Sequence, residues 1–95
     1  MKKLPNLINF LGYCIYFWSN EGNEPAHVHV AVKRPSPVSA KFWLLQDGSV
    51  KLADNKLGLS KKEIKRLEKF LVVNYNDLLS AWKDYFEEDT VKFYK

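Results

Sequence analysis

His27 and His29 are the only histidines in the chain, and they stand two apart in the segment AHVHVAV, residues 26–32. On an extended strand that spacing points both imidazoles to one face, a little under about 7 Å apart along the chain. Two chemistries fit. The first is metal chelation. A catalytic Zn²⁺ takes three protein ligands and keeps an open position, so a divalent metal at His27 and His29 needs a third ligand. Glu24 is the nearest acid in the chain, with Glu21, Asp47 and Asp54 as further choices, none of them at a diagnostic spacing. The second is acid–base catalysis that requires no cofactor: one histidine acts as general base and the other, as imidazolium, steadies a developing anion, as in a small ribonuclease. Lys41 is available to add a cation. The plainer alternative is two polar residues on the wet face of a sheet.

The remaining patterns carry less chemistry. Cys14 lies in the apolar run GYCIYFW, residues 12–18, where a buried thiol has a raised pKa and little reactivity. Gly22, Gly48 and Gly58 are isolated, without the spacing that cradles a phosphate. Lys41, Phe42 and Trp43 interleave a cation with aromatic rings and would stack single-stranded bases if exposed. In a strand of this composition the rings more often belong to the core.

Four strands position these residues. Residues 12–18 are dense in aromatic and β-branched side chains, which marks a central strand buried on both faces. Residues 20–25 form a polar turn. Residues 26–32 alternate, with Val28, Val30 and Val32 toward the core and His27, His29 and Ala31 on the other side. Pro35 and Pro37 restrict residues 33–38 to a loop or an edge. Residues 39–45 and 49–53 are joined by Asp47-Gly48, a two-residue hairpin signal. That turn sets Leu45 opposite Val50 and Trp43 opposite Leu52.

A helix follows. Ser60 and Glu63 have the spacing of a capping box. At about 100° per residue, Ile64, Leu67, Leu71, Tyr75, Leu78, Trp82, Tyr85 and Phe86 share one sector of about 100° without a phase slip. The spacing predicts a single helix over 61–88; the competing arrangement breaks it at 74–77, with Asn76 or Asp77 as a second N-cap. Phe70 and Val73 fall outside the apolar sector, so a loop or a second chain must cover them. Residues 91–94 can add a short edge strand. The whole is an α+β domain with an antiparallel meander of three to four strands packed on C-terminal helix.

Charge is unevenly placed along this helix. Residues 56–69 hold six cations (Lys56, Lys61, Lys62, Lys65, Arg66 and Lys69) against two anions, a local +4. Residues 77–89 hold five anions against one cation, a local −4. A helix macrodipole favours the reverse order, so helix stability does not explain the pattern. Lys61, Lys62, Lys65, Arg66 and Lys69, with Phe70 and Val73, are therefore the candidate surface for an acidic protein partner, RNA or DNA. The alternative is an ordinary solvated face.

The chain as a whole bounds these readings. Ninety-five residues make one domain, and the 46% hydrophobic and 27% charged composition excludes a disordered or low-complexity chain. One cysteine cannot form an internal disulfide, which favours a reducing compartment. No apolar run approaches the roughly 20 residues of a membrane span, and Pro5, Asn6 and Asn9 interrupt any signal peptide. The expectation is a soluble cytoplasmic protein, with self-association open.

Gly12-Tyr13 to Phe17-Trp18-Ser19-Asn20, Glu24-Pro25-Ala26-His27-Val28-His29-Val30, Ala40-Lys41-Phe42-Trp43-Leu44 and Asp77-Leu78-Leu79-Ser80-Ala81-Trp82 occur in that order. Together they resemble the motifs of DUF4160, a small prokaryotic family of unknown function. The resemblance implies a second small protein encoded by an adjacent gene, the pair behaving as toxin and antitoxin. It also implies that His27 and His29 are the family's paired histidines, Lys41 and Trp43 part of its A-K-F-W-L core, and Trp82 its helical tryptophan. The chain departs from the pattern at Ala26, where a second proline is more usual, and at Val72, Val73 and Asn74, which replace more charged residues.

Overall fold

Among the described residues of the computed structural model, 8–17, 24–86 and 92–94, five strands form one antiparallel sheet in the order β1-β2-β3-β4-β5. They are β1 (Ile8–Phe10), β2 (Tyr13–Tyr16), β3 (His27–Val32), β4 (Ala40–Leu44) and β5 (Val50–Asn55). Two helices follow, α1 (Lys61–Val73) and α2 (Tyr75–Phe86). This is the expected α+β meander, with one strand more and the helix divided. Trp18 and residues 87–88, assigned from the sequence to strand and helix ends, lie outside the described residues, as does Val91.

The added strand, β1, is joined to β2 by Leu11 and Gly12, whose φ values are 48° and 83°. Both central residues of a type I′ hairpin turn need positive φ, and Asn-Gly is the usual sign of it. Leucine hides the turn because it seldom adopts this conformation. Leu11 is also exposed, so Leu11→Asn relieves the backbone without removing core packing. We expect a gain of about 0.5–1 kcal/mol, read as a higher urea midpoint at an unchanged m-value.

The β4–β5 turn differs by one residue from the expected one. Leu45 N–H donates to Ser49 O at 2.8 Å and Gly48 N–H to Leu45 O at 3.1 Å, with Gly48 at φ 90°. This is a three-residue loop, 46–48, ending in a left-handed glycine. Leu44 therefore faces Val50, Phe42 faces Leu52, and Trp43 faces Lys51. A one-residue slip exchanges the faces of a strand. Phe42 and Leu44 enter the core, and Trp43 turns to the opposite side with Lys41.

The helices cover one sheet face. Ile15, Phe17, Val28, Val30, Phe42 and Leu44 meet Leu67, Leu71, Tyr75, Leu78 and Trp82 in one buried cluster. The capping box forms as expected: Glu63 N–H donates to Ser60 Oγ at 3.2 Å, and Glu63 Oε1 accepts from Ser60 N–H at 3.0 Å. The single helix ends at Asn74. Its backbone leaves the helical region (φ −101°, ψ 12°), and its side-chain amide donates to Phe70 O at 2.9 Å. Its own carbonyl accepts from Leu78 N–H at 3.0 Å, so the residue that closes α1 also begins the hydrogen bonding of α2. The expected alternative caps, Asn76 and Asp77, are exposed positions inside α2.

A second contact ties sheet to helix. Tyr13 OH donates to Glu63 Oε2 at 2.5 Å. This bond, then burial, raises the Tyr13 pKa above its ordinary 10.0. The Ser60 backbone bond, then the Tyr13 hydroxyl, holds Glu63 below its ordinary 4.5. A lowered carboxyl pKa gives stability that is present above the unfolded value and lost as pH falls through the folded one. The raised phenol gives stability present below its unfolded value and lost as pH rises through the folded one. The wild type's stability advantage over Tyr13→Phe should accordingly be widest between about pH 5 and pH 9 and shrink on either side; urea midpoints at a series of pH values measure it.

Candidate functional site

The histidines sit on the face of β3 away from the helix core, as the alternation requires, but this face is not wet. His27 is 0% exposed and His29 8%. Residues 33–39 cover part of it: Tyr16 OH donates to Ser36 O at 2.7 Å, and Cys14, Tyr16 and Ala31 form a small buried cluster. The C-terminal segment covers another part. Lys92 O accepts from Ala26 N–H at 2.9 Å, and Tyr94 stacks on Trp43 with centroids 4.8 Å apart and planes 4° apart. Residues 92–94 form no strand.

Each imidazole is oriented by a defined partner. His27 Nδ1 is 2.8 Å from Pro25 O. A carbonyl only accepts, so Nδ1 carries the proton. The ring is boxed by Trp43 at 5.7 Å and Trp82 at 5.1 Å, both edge-on. His29 Nδ1 is 3.3 Å from the buried Ser39 Oγ, and the ring stacks on Tyr16 at 5.5 Å. The two imidazoles themselves are 5.1 Å apart, centroid to centroid, and nearly perpendicular.

Lys41 is opposite His29 in the β3–β4 register, so it does join the histidines. Its Nζ is 2.7 Å from Glu24 Oε1 and 4.4 Å from the Trp43 ring centroid. Glu24, the favoured third metal ligand, is thus engaged by Lys41. Of the other acids, Asp47 accepts from Ser49 N–H at 3.0 Å and from Ser49 Oγ at 2.5 Å within the β4–β5 turn. Asp54 pairs with Lys41 across β4–β5 and lies 4.0 Å from Lys56 Nζ. Glu21 lies outside the described residues. Among the described residues, no three His, Cys, Asp or Glu side chains gather as a metal-binding group.

The second candidate surface is on α1. Lys61, Lys62, Lys65, Arg66 and Lys69 are all exposed. Phe70 and Val73, grouped in the sequence, part company here. Phe70 is half-buried and stacks on Phe10 of β1 at 3.9 Å, so the unforeseen strand is what covers it. Val73 is 83% exposed and Val72 46%. With Val50 of β5, they line an open groove of about 630 Å³ whose other walls are Lys65, Glu68 and Lys69. Val50 and Val72 were not foreseen as part of a site. Their signal was available only in part, as an aliphatic pair at 72–73 in a polar stretch.

None of the helices among the described residues is long and apolar enough to cross a membrane. No curated protein and no solved structure matches the chain. A family model does match over residues 12–83, from the turn before β2 to beyond Trp82 in α2, and so spans both the histidine cluster and the α1 groove. The chain belongs to the family described as a domain of unknown function, DUF4160.

Proposed function

We propose that the protein works by binding, as the interacting component of a two-protein system of the toxin–antitoxin type, with α1 as its contact surface. The observation that carries this reading is the pair Val72 and Val73, exposed beside five exposed cations on one helix. Exposed aliphatic side chains rimmed by charge are typical of an interaction surface. In this reading the protein acts in the cytoplasm, and its partner is a second small protein encoded by an adjacent gene.

The competing reading, an RNA-cleaving or other phosphodiester-acting enzyme built on His27, His29 and Lys41, has less support. An acid–base group must come within hydrogen-bond reach of the proton it transfers. His27 is enclosed by Trp43 and Trp82, and Lys41 is held by Glu24. Co-expression with the product of the adjacent gene tests the proposal. The two chains should elute as one complex from a sizing column at about 0.15 M salt, where surface charge is screened beyond about 8 Å. Elution of this chain alone would overturn it.

A further inference from the structure

We infer that the groove between α1 and β5 receives an acidic amphipathic helix of a partner protein, with its aliphatic side chains against Val50, Val72 and Val73 and its carboxylates along Lys61, Lys65 and Lys69. This inference rests on the binding role proposed above and names the chemistry of the partner.

The spacing of α1 selects a helical occupant. Lys61, Lys65 and Lys69 are successive i, i+4 positions, so they form one row along the helix. Val72 and Val73 continue that row by a further turn. From Lys61 to Val73 the row is about 18 Å long at 1.5 Å per residue. A partner helix lying along it presents its own i, i+3, i+4 and i+7 positions at the same intervals. Val50 is the strand residue lining the groove, so the occupant is matched to a helix row more than to a sheet edge.

Charge selects the sign. The row begins at the helix N-terminus, where the macrodipole is already positive, and the lysines add to that potential. An anionic partner relieves both. The groove also separates a protein partner from a nucleic acid. Its floor is aliphatic, and Glu68 forms part of its wall. A phosphate backbone has no apolar group to place on three valines, and it would meet Glu68 with like charge. An acidic helix with an aliphatic end satisfies the valines and can pass Glu68 with a neutral position.

The probe is a fluorescein-labelled 18-residue synthetic helix with Glu at i, i+4 and i+8 on one stripe and two Leu one turn beyond. Its binding to the full chain is read by fluorescence anisotropy, beside a Leu→Ser peptide, a Glu→Lys peptide and a 20-mer of uridine. We expect the parent peptide to bind and both altered peptides to lose at least about tenfold in affinity. Val73→Asp and the double variant K65E/K69E should each lose a similar factor, with Val73→Ser between them and the wild type. These positions are exposed, so thermal melts should remain near wild type. Equal binding of the Leu→Ser peptide, indifference to Val73→Asp, or no peptide binding would overturn the inference. So would tighter binding of the uridine 20-mer, or self-association on sedimentation that Val73→Asp abolishes. If the adjacent gene's product still co-elutes with Val73→Asp, the binding role stands and the groove assignment falls.

Discussion

Trp82→Ala should lower stability by about 3–5 kcal/mol, the cost of emptying a large buried aromatic site. Trp82 is 1% exposed and packs on Phe17 at 5.2 Å and Phe86 at 4.5 Å. It also meets His27 at 5.1 Å, so one ring joins the helix core to the histidine cluster. A domain of this size has about 5–15 kcal/mol in all. The melting temperature should fall by at least about 12 °C. Among the described residues Trp82 Nε1 has no hydrogen-bond acceptor. Trp82→Phe therefore gives up little polar interaction and should cost under about 2 kcal/mol, since it keeps an aromatic ring in place. Urea unfolding followed by circular dichroism measures both. A Phe variant as unstable as Ala would show that the indole nitrogen matters more than the ring.

His27→Ala should cost about 2–4 kcal/mol, the second-largest effect. The substitution removes a wholly buried ring and the N–H donated to Pro25 O, leaving a cavity and an unpaired carbonyl together. His29→Ala should cost less. Its ring is slightly exposed, and its bond to Ser39 at 3.3 Å is long. This ordering separates a structural histidine from a catalytic one. A catalytic pair loses activity on either substitution while folding is intact. A structural pair loses stability in proportion to burial, and any loss of function follows the folded fraction. Denaturant midpoints of the two variants give the order directly.

Much of the fold is local in origin, and that part could be read from the residues. The capping box at Ser60 and Glu63 and the alternation of β3 depend on neighbours in sequence; the box forms as expected, and Val28 and Val30 enter the core as the alternation requires, while Val32, expected beside them, is 51% exposed at the end of the strand. The differences arise where a local pattern has two solutions. Asp47-Gly48 suits a two-residue or a three-residue loop, and one residue decides which face Trp43 occupies. Leu11 occupies a left-handed position that the sequence does not signal. Asn74 interrupts the helix without shifting its phase, so Tyr75, Leu78 and Trp82 continue the buried stripe of Leu67 and Leu71. The histidines show the remaining limit. Alternation places them on one face, but their cover comes from the loop 33–39, which has no regular pattern to read, and from residues 92–94 and Trp82, which are distant in sequence.

The central claim is that this protein acts through the surface of α1, with its histidines serving the fold. The most direct test is the affinity of the adjacent gene's product for three forms of the chain: wild type, Val73→Asp and His29→Ala, each shown to be folded. We predict at least about a tenfold loss for Val73→Asp, as for a substitution that removes about 1.4 kcal/mol at an interface. His29→Ala should bind as the wild type does. The opposite pattern, with His29→Ala abolishing the complex and Val73→Asp leaving it intact, would contradict the account and return the functional site to the histidine face.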